Sequence, residues 1–159
     1  MKKSHVLMIL LLFSLSALLL AACGGGDDGE AEESTDGGGG SMEMDVQMHD
    51  IYFGDSNDNV DNPPTWTATA GDSIRVSMVN NGALDHNWAI VDLNETIPDV
   101  ISDPGAIEDQ LLTDGGVVAP GDTGTWRFTA PDAAGEYLVI CTIAGHYPAM
   151  QGRFVVEAP

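Results

Sequence analysis

Residues 42–159 read as an all-β domain, a Greek-key antiparallel β-sandwich of seven to eight strands with one short helical insertion. Three observations predict it. The apolar segments are short, turn residues separate them at regular intervals, and the clearest of them alternate apolar with polar positions. Ser73-Ile-Arg-Val-Ser-Met-Val79 and Thr123-Gly-Thr-Trp-Arg-Phe-Thr129 show that alternation, the period of a sheet with one face buried.

The elements follow in chain order. Asp45–Phe53 carries the β-favouring Val46, Ile51, Tyr52 and Phe53. Thr65–Ala70 interleaves threonine with Trp66 and Ala68 and stops at Ala70-Gly-Asp72; Ser73–Val79 then runs to Asn80-Asn-Gly82. Trp88–Val91 is a short, wholly apolar run. Ile97–Leu112 breaks the rhythm: Pro98 and Pro104 interrupt it, and Ile107-Glu-Asp-Gln-Leu-Leu112 is predicted as a short helix. Gly124–Phe128 follows the turn Ala119-Pro-Gly-Asp122, Glu136–Ile140 follows Ala130-Pro-Asp132, and Gly152–Val156 is the last strand. About 118 residues can bury one respectable core.

The first quarter of the chain is different. Lys2 and Lys3 precede an apolar run, Val6–Ala22, broken only by Ser14 and Ser16. Its 17 residues fall short of the about 20 that a membrane span needs. With a basic start and small residues at its end, residues 1–22 read as a lipoprotein signal peptide rather than a permanent anchor. Leu20-Ala21-Ala22-Cys23 resembles a bacterial lipobox, which implies lipidation of Cys23; ordinary cleavage is the alternative. Residues 24–41 contain six acids and no aliphatic side chain larger than alanine, so residues 23–41 read as a lipidated cysteine and a flexible linker. The protein is thus expected to be exported and lipid-anchored, facing the periplasm or cell exterior.

The chemistry-bearing residues cluster near the C-terminal end. Cys141, His146 and Met150 lie within ten residues, and His86 stands 55 residues upstream of the cysteine. With Cys23 assigned to the anchor, Cys141 is a lone thiol in an oxidising compartment, where an unpaired cysteine calls for an explanation. Metal ligation supplies one. Two imidazoles, a thiolate and a weak axial thioether are the donor set of a mononuclear blue-copper site, in which soft sulfur suits Cu(I) and imidazole suits either state. On the predicted sandwich, Cys141 ends one strand and Met150 precedes the next. His146 lies between them, and His86 enters from a second loop at the same end. Taken alone, a buried cysteine, a methionine beside a strand and a histidine in a loop each have a plain structural reading; their order and spacing together favour the metal.

The pattern Cys141-Thr142-x-x-Gly145-His146-x-x-x-Met150-x-Gly152, with His86-Asn87 upstream, resembles the azurin and auracyanin branch of the cupredoxins over residues 42–159. The resemblance implies equatorial ligands His86, Cys141 and His146 and an axial Met150. It also implies that Asn87 ties the two ligand loops together, with its backbone N–H near the Cys141 sulfur and its side chain toward Thr142. Electron exchange would pass through His146 and an apolar patch of Tyr147, Pro148 and Ala149, extended by Gly82-Ala83-Leu84. Two features depart from azurin: Asp85 replaces the glycine before the first histidine, and the azurin disulfide is missing. Both favour an auracyanin-like site with four ligands. The implied function is single-electron transport by one copper per chain, with a cytochrome c or a membrane oxidoreductase or oxidase complex as partner and a monomer as the working unit.

Charge narrows the partners. Lys and Arg total 5 against 25 acids, for a net −20, and beyond the signal the basic side chains are Arg75, Arg127 and Arg153. That excludes nucleic acid, which demands basic patches. It fits steering toward a basic redox partner, or adaptation to high salt; the even spread of the acids favours the second. Met42, Met44, Met48 and His49 allow an alternative reading as a Cu(I)-handling string for copper delivery or storage, against the plainer reading as strand. An enzyme is not expected: a multicopper site lacks further histidines, a binuclear copper site lacks a second ligand cysteine, and no base–nucleophile set appears.

Overall fold

The computed structural model describes residues 40–159. The signal segment, Cys23 and nearly all of the linker lie outside the described residues. Nine strands are present among those described: β1 (Ser41–His49), β2 (Tyr52–Phe53), β3 (Thr65–Thr69), β4 (Ser73–Asn80), β5 (Ala89–Val91), β6 (Leu111–Asp114), β7 (Thr123–Thr129), β8 (Gly135–Ile140) and β9 (Gln151–Glu157). A 3-10 helix covers Pro104–Gln110, and the Asp103 side chain accepts the Gly105 N–H at its start.

The strands form two sheets, one ordered β2-β1-β4-β7 and the other β3-β9-β8-β5-β6. Alternation does its expected work. In β4, Ile74, Val76, Met78 and Asn80 point inward between Ser73, Arg75, Ser77 and Val79; in β1, Met44, Val46 and Met48 do the same. The inward sets meet around Trp88, Phe154, Phe53 and Ile90, all fully buried. β5 is buried on both faces because the segment after it folds over the outer side: Ala89, Val91 and Ile140 pack there against Ile101 and Ile107.

The structure differs from the sequence expectation in three places. The run expected as one strand, Asp45–Phe53, is two strands folded back on each other, with Met48 opposite Phe53 and His49 opposite Tyr52. The fold-back passes through Ile51 at φ 85°, a left-handed conformation that a β-branched residue adopts only under local strain, on the order of 1–3 kcal/mol. The helical stretch ends at Gln110, and Leu111–Asp114 pairs with β5 as an edge strand, so Leu111 packs on the outer cluster from a sheet rather than a helix. Pairing is also mixed rather than wholly antiparallel: β1 runs parallel to β4, and β3 parallel to β9. β3 belongs to the opposite sheet, so the chain crosses the sandwich before β4 returns beside β1, the kind of crossover a parallel pair requires.

Candidate metal centre

His86 is fixed by its backbone. Its N–H donates to the Val118 carbonyl at 3.2 Å and its carbonyl accepts the Val118 N–H at 2.7 Å. Buried Asn80, at the end of β4, holds both flanking loops, donating to the Leu84 and Val118 carbonyls at 2.8 and 2.9 Å and accepting the Gly82 N–H. The other three residues sit where β8 turns into β9. The Cys141 N–H donates to the Met150 carbonyl at 3.2 Å, and the Met150 N–H to the His146 carbonyl at 2.9 Å. Gly145 supplies φ 79° at the bend, a conformation glycine adopts without cost, and its N–H reaches the Ile101 carbonyl at 2.8 Å. The ligand loop is thereby tied to the covering segment.

These loops bring His86, Cys141 and His146 together, with one donor atom of each within 4.8 Å of the others. The Cys141 Sγ lies 4.0 Å from His86 Nδ1 and 3.5 Å from His146 Nδ1. Metal–nitrogen and metal–thiolate bonds of about 2.05 and 2.3 Å at a trigonal angle would set nitrogen and sulfur about 3.8 Å apart, so the trio fits a metal at its centre. His86, Cys141 and Met150 are completely buried, and His146 retains 7% exposure. Met150 lies against the same core cluster as Cys141.

Burial pushes the Cys141 thiol from its ordinary 9.0 up to about 11, against the pull of the Asn87 and Ile143 backbone N–H groups; the Asp114 carboxylate adds to the rise. His146 is held below its ordinary 6.5, first by burial and then by His86 nearby. Without metal, the cluster therefore holds a neutral thiol facing an imidazole that resists protonation. A soft cation replacing the thiol proton would meet a desolvated thiolate and imidazole lone pairs, the donor chemistry of a copper site.

Asn87 links the two halves. Its Oδ1 accepts the Thr142 N–H at 2.7 Å, and its Nδ2 donates to Thr142 Oγ1 at 2.8 Å and to both Asp114 oxygens at 3.0 and 3.1 Å. Neither Asp114 nor Asp50 was singled out in the sequence. Asp114 also accepts the Gly116 N–H, and Asp50 approaches His86 Nε2 at 3.3 Å. Asp114-Gly-Gly116 carries a turn signal, whereas Asp50 sits inside what reads as continuous strand.

Beside His146, Pro148 and Ala149 are exposed, whereas Tyr147 is half-buried against the outer cluster. Leu84 and Val117, at 45% and 60% exposure, are apolar surface on the two loops that bracket His86. Trp88 and Ile90 are fully buried in the main core. Met44 and Met48 belong to that core and Met42 packs on it, while His49 stacks on Tyr52 with ring centroids 4.6 Å apart. The methionines of β1 are therefore spent on packing.

Comparison with known proteins agrees with this geometry. The model of copper-binding proteins of the plastocyanin/azurin family matches residues 52–157, a span that contains every candidate ligand. Auracyanin-A of Chloroflexus aurantiacus is 35% identical over 103 residues, covering 57% of this chain and 63% of that relative, just under two thirds of its length. The solved structure of auracyanin A, a "blue" copper protein of that green thermophilic photosynthetic bacterium, is 29% identical with a TM-score of 0.59, covering 74% of this chain and all of that one. The dithionite-reduced auracyanin of Roseiflexus castenholzii, at 24% identity, shares the fold with a TM-score of 0.55 over 75% of this chain and 99% of its own. With His86, Cys141 and His146 forming a type 1 copper-like site, the chain belongs to the plastocyanin/azurin family of copper-binding proteins.

Proposed function

We propose that this protein is a membrane-tethered blue-copper carrier that passes single electrons between redox partners. The observation that carries the reading is the convergence of two buried imidazoles and a buried thiol on one rigid end of the sandwich. His86, Cys141 and His146 would hold the copper, with the Met150 thioether as a further, weaker donor. Bound copper would supply the one-electron Cu(II)/Cu(I) exchange. The protein's part is to keep the donors still. Asn87, Thr142 and Asp114 lock one ligand loop to the other, and the Val118 bridge locks His86. Donors held in this way need little rearrangement when the charge at their centre changes.

His146 is the ligand nearest solvent, and exposed Pro148 and Ala149 make its rim apolar. Docking there would bury a small area, below about 1,200 Å², as suits brief redox encounters. The tether at Cys23 and a linker with a reach of roughly 21–25 Å would keep a monomeric domain close to membrane partners such as an oxidoreductase complex or a cytochrome c.

Voltammetry and stopped-flow mixing with a basic cytochrome c test this. The expected result is one reversible electron per chain and rapid exchange that slows with salt. A copper complex that neither oxidises nor reduces reversibly would sink the carrier reading. Membrane fractionation of the C23S variant checks the tether, with the variant expected in the soluble extracytoplasmic fraction.

A further inference from the structure

The geometry points to Asp50 as a positioning residue of the metal centre, fixing the tautomer of His86 and biasing the site toward the oxidised ion. This inference rests on the type 1 copper reading above. A carboxylate only accepts hydrogen bonds, so the 3.3 Å approach of Asp50 Oδ1 to His86 Nε2 places the imidazole proton on Nε2. A neutral imidazole has only that one proton. Nδ1, which faces the Cys141 sulfur at 4.0 Å, is then the bare nitrogen that a metal needs.

Asp50 is itself held in a built cradle. Its carboxylate accepts the Ala83 N–H at 2.8 and 3.0 Å and the Leu84 N–H at 3.1 Å, two residues before His86. Gly82 leaves room for it: a Cβ there would collide with the carboxylate and come within 3.0 Å of the Asp50 backbone nitrogen. The strained fold-back between β1 and β2, with Ile51 at φ 85°, puts Asp50 in this position. With a metal at Nδ1 the arrangement would be a carboxylate–imidazole–metal triad, in which Asp50 orients the ring and raises the basicity of the ligating nitrogen. The Asp50 side chain is 40% exposed, and the completely buried His86 ring lies between its carboxylate and the Cys141 sulfur. A negative charge behind a ligand favours the more highly charged of two metal states.

Asp50→Asn in the full chain separates charge from shape, because asparagine keeps a carbonyl oxygen for Ala83, Leu84 and His86. The expected outcome is a Cu(II) affinity about tenfold lower with Cu(I) affinity little changed. For a one-electron couple that is a reduction potential higher by about 59 mV. The second readout needs no copper: the ¹⁵N shifts of His86 in the native metal-free protein should report a proton on Nε2, and Asp50→Ala should give a mixture. An affinity ratio within twofold of native in a folded, blue D50N variant would overturn the inference. A His86 proton on Nδ1 in the native metal-free chain would also overturn it. A native chain that binds copper without an intense blue band would instead overturn the carrier reading, and the His86 tautomer would still decide the Asp50 contact.

Discussion

Cys141 has no exposure and a thiol that ionises only near pH 11, so the metal-free fold is a trap for a neutral sulfur. The sign of its pH dependence follows. An unfolded thiol loses its proton near the ordinary 9.0 and the folded one near 11, so between those values unfolding releases a proton and stability falls as pH rises. The metal-free protein should therefore lose about 2–3 kcal/mol of denaturant stability across that window. Urea titrations of native and Cys141→Ser proteins check it: the slope should become much shallower in the variant, leaving the part owed to Tyr137, whose hydroxyl is also pushed up by burial. Asn87 makes the complementary prediction. Its loss strands the buried Thr142 N–H and hydroxyl, so Asn87→Ala should cost the metal-free domain about 1–3 kcal/mol by the same titration.

At the level of elements, β1 separates the copper-delivery alternative from a packing role. Met44 and Met48 face the core, at 4% and 0% exposure. Met48→Ala should cost about 2–5 kcal/mol in unfolding while leaving copper stoichiometry at that of the native protein; copper counted by mass spectrometry before and after substitution decides. Which elements were legible follows from similar physics. β4 and β7 could be read because each has one face on the core and therefore alternates. β2 and β6 could not: two and four residues are too short for a period, and β6 is placed by pairing with β5. The parallel pairing of β1 with β4 was hidden as well, because alternation records which face is buried and not which neighbour lies alongside. Cys141, His146 and Met150 were legible because one hairpin connection carries all three. Asp50 and Asp114 were not, since they reach their partners from 36 and 27 residues away in a chain crowded with acids.

At the scale of the whole molecule, charge dominates. Two of the three arginines beyond the signal are already paired, Arg75 with Glu43 at 2.8 Å and Arg153 with Glu136 at 3.0 Å, and Arg127 lies opposite Arg75 across β4 and β7. Most of the acids are thus left to repel one another through solvent. Salt should relieve that repulsion, so melting temperature should climb with sodium chloride over the range where the Debye length shortens from about 10 to 3 Å. A melting temperature indifferent to salt would remove self-repulsion from the description.

The blue-copper centre itself is most directly examined by visible absorption of the purified protein during titration with Cu(II), followed by ascorbate. The expected result is an intense blue band that saturates at one copper per chain, bleaches on reduction and is missing in Cys141→Ser. A colourless or faintly tinted complex at full copper loading would contradict a thiolate–copper site, and with it the assignment of electron transport.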